Sequence, residues 1–151
     1  MTIKLGDFTD AQVINLMRIH LDSMHANSPP GSVYALDLSG LQRPDISFYT
    51  VWDGEQLLGC GAIKELHAAA GEIKSMRTDP GHLRRGVAAR LLEHIIATAR
   101  GRNYVRLSLE TGSGPAFDPA LALYRKYGFV QGGVFGDYVP AAFNQFFHLD
   151  L

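Results

Sequence analysis

Between Asp79 and Ala88 the chain reads DPGHLRRGVA: chain breakers, two adjacent arginines, then a Gly-x-Ala opening an apolar-striped segment. The first turn of a helix leaves backbone N–H groups without partners and carries the positive end of the dipole, so an anion is its complement. Gly86 and Ala88 add no bulk there, and Arg84 and Arg85 supply charge that is fixed at physiological pH. Each charge-assisted hydrogen bond to a phosphate would contribute roughly 1.5–3 kcal/mol. The GxxxxGK phosphate loop of nucleoside triphosphatases is absent and no GxGxxG follows the first strand, so the phosphate ligand belongs to another class.

That positive charge is local. The 151 residues carry a formal net charge of −1 with a pI near 6.6, which argues against nucleic acid or an anionic membrane as a general partner. The run ARGRNYVR places arginines near one helix end without making a basic face. A hydrophobic content of 46% with 19% charged residues suits one core, and the expectation is a single domain over 1–151. The single cysteine, Cys60, lies in LLGCGAIKEL and reads as a small buried residue. The start, MTIKLGDF, lacks a basic segment followed by an apolar run, and no stretch reaches membrane-span length; a cytoplasmic location is expected.

The elements that must position the turn follow from periodicity. Thr9 to about His25 is a helix, with Val13, Leu16, Met17, His20, Leu21 and Met24 recurring at three and four, and Thr9 with Gln12 as its capping box. A break at Asn27–Gly31 precedes a short second helix near Val33 to Asp37. ISFYTVW and QLLGCGAIKEL form a hairpin around Asp53-Gly54, and residues 71–78 form the next strand. The helix after Arg84 carries a doubled stripe from Val87 to Ala99 and is closed by Gly101–Asn103. YVRLSLET is a strand with Val105, Leu107 and Leu109 on one face and Arg106, Ser108 and Glu110 on the other. Asp118 as cap and Pro119 begin a short helix that Gly128 ends, and two aromatic-rich strands joined by a long loop close the chain. This β-α-(α)-β-β-β-α-β-α-β-β order implies an α/β fold with a mixed sheet.

Two motifs in this order resemble the GCN5-related N-acetyltransferases, which move an acetyl group from acetyl-coenzyme A (acetyl-CoA) to an amine. Leu83-Arg84-Arg85-Gly86-Val87-Ala88 matches that family's Gln/Arg-x-x-Gly-x-Gly/Ala turn, with Leu83 in place of the usual Gln or Arg. ALALYRKYGF is similar to its late helix. The resemblance spans residues 3 to 151 and implies a mostly antiparallel sheet with a V-shaped splay between two parallel strands. It further implies that Arg84, Arg85, Gly86, Val87, Ala88 and Ala89 cradle the coenzyme pyrophosphate and that the backbone at Met76 and Thr78 meets the pantetheine arm, with an N–H near Met76 facing the developing oxyanion.

An alkyl amine with a pKa near 10.4 is mostly charged at pH 7, so attack on a thioester benefits from a base. Glu72 stands on the strand leading to the turn, where well-known family members keep a catalytic glutamate; Glu110 on the neighbouring strand is the rival, as base or as a partner for the substrate ammonium. Tyr124 matches the family's tyrosine near the coenzyme sulfur, a donor for the leaving thiolate. The loops HANSPPGS and FGDYVPAAFNQ bring His25, Asp137 and Tyr138 to the acceptor side. The six histidines share no ligand spacing, and no metal is expected. A small-molecule amine is favoured over a peptide because no broad acidic groove is evident; amino-acid, arylamine and oxygen acceptors are not distinguished, and a homodimer is left open. The competing reading is a CoA-binding sensor, which needs the turn but neither Glu72 nor Tyr124.

Overall fold

The computed structural model describes all 151 residues. Strand β1 (Thr2–Leu5) leads into helix α1 (Ala11–Asn27), whose buried residues Val13, Leu16, Met17 and His20 fall at helical spacing. The cap of α1 is Asp10 rather than Thr9: its side chain accepts from the N–H groups of Gln12 and Val13. Thr9 instead bonds to Asp7, and Gln12 reaches the next hairpin, donating to the Glu55 carbonyl at 2.8 Å and accepting from Leu57 N–H at 3.0 Å. The short second helix, α2 (Leu38–Leu41), starts beyond the expected Val33–Asp37 segment because the Asp37 carboxylate caps it, accepting from Gly40 N–H at 2.8 Å.

β2 (Ile46–Asp53) and β3 (Gln56–His67) form the expected hairpin, with Asp53 facing Gln56 and Gly54 at φ +59 in the turn. β4 (Ala70–Thr78) continues the antiparallel order, and after it a 3₁₀ turn at Pro80–His82 leads to α3 (Val87–Gly101). α3 is the crossover that a parallel neighbour requires, and that neighbour is β5 (Arg106–Thr111). Next come α4 (Asp118–Lys126), β6 (Val130–Gln131) and β7 (Gln145–Asp150). Asp118 is the first helical residue rather than the cap, because a 3₁₀ turn at Pro115–Phe117 runs straight into α4. At the other end, Gly128 sits at φ +94, with Gly128 N–H to Arg125 O and Phe129 N–H to Tyr124 O closing a Schellman motif.

The seven strands form one open sheet in the order β1-β2-β3-β4-β5-β7-β6. Only β4 and β5 run parallel, and their pairing stops at Glu72 opposite Ser108, although β4 continues to Thr78 and β5 to Thr111. Beyond Glu72 the two strands splay, as the resemblance implies. One face of the sheet carries α3 and α4 over an apolar cluster that includes Val51, Ile73, Leu92, Ile95, Leu107 and Phe147. The other carries α1 and α2 over a smaller cluster with Phe48, Trp52, Cys60 and Ala62. Burial pushes the Cys60 thiol up to about 12, so it is an inert packing residue.

Val105 lies outside β5 and is 62% exposed, so the apolar face of that strand begins only at Leu107. On the opposite face Ser108 is buried rather than surface-exposed, because its hydroxyl donates to His148 Nδ1 of β7 at 2.7 Å.

Candidate active site

Beyond the start of the splay, β4 carries a bulge against β3. Cys60 of β3 faces Arg77 and Ala62 faces Lys74, so two steps of β3 match three of β4; within that interval Ser75 takes φ +57. The extra residue changes which side chains face which way. Glu72, Lys74 and Arg77 point to the α1 side, whereas Ile73 and Met76 pack toward the α3 cluster, Met76 over the bare backbone of Gly61.

The resulting cleft is walled by β4 and β5 and roofed from three directions: His20 and Met24 of α1 with Ser28 at its end, Tyr34 from the following loop, and Phe143 from the β6–β7 loop. Glu72, Lys74, Arg77, Glu110 and Tyr124 all line it. Among the residues expected from sequence, Glu72, Glu110, Met76 and Tyr124 are therefore brought together. Tyr138 and Asp137 line an adjoining recess that shares Tyr34, Glu72 and Lys74 with the cleft. His25 lines neither; it is exposed in the last turn of α1, where helical periodicity gives the cleft-facing positions to His20 and Met24.

The two carboxylates differ in their environment. Glu72 is 2% exposed, and one of its oxygens accepts from Lys74 Nζ at 3.3 Å and from the Tyr138 hydroxyl. Lys74 Nζ also donates to Tyr138 Oη at 2.8 Å, so Glu72, Lys74 and Tyr138 form one closed buried network. Burial, then the neighbouring Glu72 charge, holds the Tyr138 hydroxyl well above the ordinary phenol range. Glu110 makes no ion pair. Burial raises its carboxyl to about 7, with the Glu72 charge adding to the rise and Lys74 and an Asn144 hydrogen bond opposing it. A group poised there takes up and gives back a proton near neutral pH.

Tyr124 belongs to both regions. Its ring is a member of the α3/α4 cluster and stands edge-on to Phe129 with centroids 5.6 Å apart, yet the residue also lines the cleft. Burial alone raises its phenol, so the hydroxyl keeps its proton at all working pH values.

At the other end of β4, Thr78 leads through Asp79 to the arginine turn. Arg84 takes φ +61 and Gly86 φ +79, which turns the chain into α3. No side chain caps α3, so the N–H groups of Val87, Ala88 and Ala89 are left without a capping side-chain acceptor. Arg84 and Gly86 are exposed; Arg85 is exposed too and leans on His82 Nδ1 at 2.6 Å and Asp53 at 3.6 Å. Val87 contributes only its backbone to this end, its side chain being buried against Gly59, where an added Cβ would stand 2.7 Å from Val87 Cγ1.

Three cleft residues were not singled out as site candidates from the sequence: His20, Lys74 and Arg77. The available signal was a histidine inside an otherwise apolar helical stripe; Lys74 and Arg77, three apart on a strand, gave no periodic signal. His20 is 5% exposed, and its Nδ1 accepts from Arg77 Nε at 3.0 Å. Burial and the Arg77 charge push its imidazole down to about 4, so it is neutral at pH 7. No group of three or more His, Cys, Asp or Glu side chains is arranged to hold a metal, and no helix is long and apolar enough to cross a membrane.

Residues 13–129 match the acetyltransferase (GNAT) family. A Bacillus subtilis (strain 168) protein named Uncharacterized N-acetyltransferase YsnE is 52% identical over 138 residues, 91% of each chain. A Klebsiella pneumoniae protein of the acyl-CoA N-acyltransferase type superposes with a TM-score of 0.82 at 30% identity, covering 99% of this chain and 97% of that one. A Bacillus subtilis acetyltransferase solved in complex with CoA shares the fold, with a TM-score of 0.73 at 19% identity over 99% of this chain and 97% of that one. With the splayed parallel pair, the bulged strand and the arginine turn, these likenesses show that the chain belongs to the GNAT acetyltransferase family.

Proposed function

We propose that this chain moves an acetyl group from acetyl-CoA to the amine of a small molecule, by direct attack with both substrates bound together. The observation that carries the reading is the splay itself: beyond Glu72 and Ser108 the facing edges of β4 and β5 have no strand between them, and the cleft this opens runs alongside Glu110. An extended pantetheine arm fits an open strand edge because its amides can pair with the backbone beyond the bulge, at Met76 and Thr78. The uncapped start of α3, at Gly86 to Ala89 with Arg84 and Arg85 beside it, suits the pyrophosphate.

In this reading Glu110 receives the proton of the acceptor ammonium, either directly or through water, because its carboxyl is poised near neutrality and free of an ion pair. The neutral nitrogen attacks the thioester carbonyl, the C–N bond forms and the C–S bond breaks; the surplus proton on the new amide nitrogen passes to solvent, and the thiolate takes a proton from solvent, directly or through Tyr124, which solvent then reprotonates. Glu72, also a candidate base, is committed to Lys74 and Tyr138, and we assign it the role of holding Tyr138 and Lys74 in the cleft wall. The test is thiol release from acetyl-CoA across a panel of amines. Release that requires an amine is the expected result; heat of coenzyme binding without thiol release under any amine would establish the sensor reading instead.

A further inference from the structure

Arg77 is a cation in the cleft without an anion. Beyond the β4 bulge its side chain enters the α1 side of the sheet, where Nε donates to neutral His20 and one terminal nitrogen lies 3.9 Å from Met24 Sδ. Each of the five ion pairs in the chain involves another cation: Arg18, Arg43, Lys74, Arg85 and Arg106. Placing a charge among neutral partners is costly, and the burden on Arg77 shows in the downward pull of burial on its guanidinium.

Two hydroxyls in the walls of the same cleft also lack partners. The only buried side-chain polar atoms without a hydrogen bond are Ser28 Oγ and Ser75 Oγ, and both residues line the same cleft as Arg77. Ser75 is the left-handed bulge residue two positions before Arg77, and Ser28 caps the end of α1 on the opposite wall. A half-buried guanidinium without an acid suits an anion with planar, bidentate acceptors, and the two buried, unpaired hydroxyls in the walls of the same cleft are donors that such a ligand would engage as it enters. The coenzyme phosphates do not fit this role, because α3 begins on the other face of the sheet from Arg77. Lys74 does not compete for it, being held by Glu72.

We propose that the acceptor carries a carboxylate in addition to its amine, and that Arg77, with Ser28 and Ser75, receives that carboxylate while the amine lies toward Glu110. The acceptor class is thus a small amino carboxylic acid, which rests on the reading of this cleft as the acceptor site. A single guanidinium with neutral companions balances one negative charge, which favours a carboxylate over a phosphate dianion.

The test is steady-state thiol release with matched pairs, each amino carboxylic acid beside its carboxamide. The wild-type protein should prefer the acid at least tenfold in kcat/KM. Arg77→Met should erase that preference, raising KM for the acid about tenfold more than KM for the carboxamide. Arg77→Lys, which keeps the charge without the planar fork, should retain part of the preference, and Ser75→Ala should weaken it a few-fold even if Arg77→Met fails to fold. Equal rates for acid and carboxamide, or a uniform loss for both in Arg77→Lys, overturn the carboxylate assignment while acetyl transfer stands. No thiol release from either member of any pair overturns the transfer reading beneath it.

Discussion

On the α3/α4 face of the sheet, eighteen buried residues from Tyr49 to Phe147 form a cluster without one charged side chain, whereas the α1/α2 face buries nine apolar residues in its cluster beside a set of polar groups. Thr50, Glu72, Ser108 and His148 alternate along their strands with members of the α3/α4 cluster and so face that second side, where His20 of α1 also lies, and Asn144 comes from the β6–β7 loop. Buried polar groups cost free energy unless they are partnered. All of these are: His20 with Arg77, Thr50 with Trp52, Glu72 with Lys74 and Tyr138, Ser108 with His148, His148 with the Gly133 carbonyl at 2.8 Å, and Asn144 with its own loop. Groups without such pairing gather in the cleft. Glu110 is held partly protonated, Arg77 has no acid, and Ser28 and Ser75 have no hydrogen bond. One side supplies stability, and the other gives some of it up, as expected of a face whose unpaired groups await the proposed acceptor.

The sharpest way to break this comparison is Glu110→Gln. If Glu110 carries the proton, the change should lower kcat/KM by roughly 10²- to 10⁴-fold and remove an inflection near pH 7 below which wild-type activity falls. Stability should move the other way. The folded carboxyl titrates at about 7, above its unfolded value, so the wild-type fold binds the extra proton and loses relative stability as pH rises from the unfolded value through about 7. The variant has nothing to ionise at that position, so it should gain on the wild type across that window and stay ahead at pH 8. His20 titrates in both proteins, with stability falling as pH drops from 6.5 to about 4, and cancels in the difference. Chemical denaturation at pH 5 and pH 8 checks it; a wild type more stable than the variant at pH 8 would contradict the division of labour.

Leu92→Ala is the counterpart on the apolar face. Leu92 is 0% exposed within the α3 stripe, and the cavity should cost about 2–5 kcal/mol of stability, read as a drop in thermal midpoint. Where the variant is still folded, KM for the acceptor and the pH profile should be unchanged. A changed acid preference would show that the two faces are coupled.

A smaller effect is expected at Gly86, at the start of α3, which is proposed to take the coenzyme pyrophosphate. Its φ of +79 makes any Cβ cost about 1–2 kcal/mol, and Gly86→Val adds bulk beside the N–H groups of Val87 and Ala88. Loss of one charge-assisted hydrogen bond would weaken acetyl-CoA binding roughly ten- to hundredfold. Calorimetry on the folded variant reads this directly, and unchanged affinity removes the turn from the coenzyme site.

The arrangement of the faces was partly legible in the sequence. The element order, the hairpin at Asp53-Gly54, the α3 stripe and the Gly128 stop depend on local spacing and turn chemistry, and each stands in the structure. Helix starts were less legible, because Asp10, Thr9 and Gln12 can each bond in several ways and the choice is made by the β2–β3 turn that Gln12 reaches. The cleft was least legible. Strand alternation assigns Lys74 and Arg77 to opposite faces, and only the bulge at Ser75 brings both to the side of His20. A one-residue irregularity in the backbone leaves no compositional trace, so the cations of the site could not be read from the pattern of the strand.

Tyr124 is where the two faces touch, and it sharpens the comparison most finely. Its ring packs in the apolar cluster and its position lines the cleft, so a structural and a chemical role make opposite predictions for removal of one oxygen. Tyr124→Phe keeps the ring and the edge-on contact with Phe129. A purely structural tyrosine should lose nothing, and could gain stability, because a buried hydroxyl is taken away. A proton donor should lose rate, but modestly. A thiolate with a pKa near 8.5 is a competent leaving group before it is protonated, so the donor is worth about tenfold in kcat, below the ~10²–10⁴ typical of general acids acting on poorer leaving groups. The raised pKa of the phenol also means that no new inflection should enter the wild-type pH profile from this group, and none should disappear in the variant. A tenfold fall in kcat with coenzyme affinity, thermal midpoint and pH profile unchanged therefore marks Tyr124 as the donor. An unchanged kcat returns it wholly to the apolar face, with water protonating the thiolate.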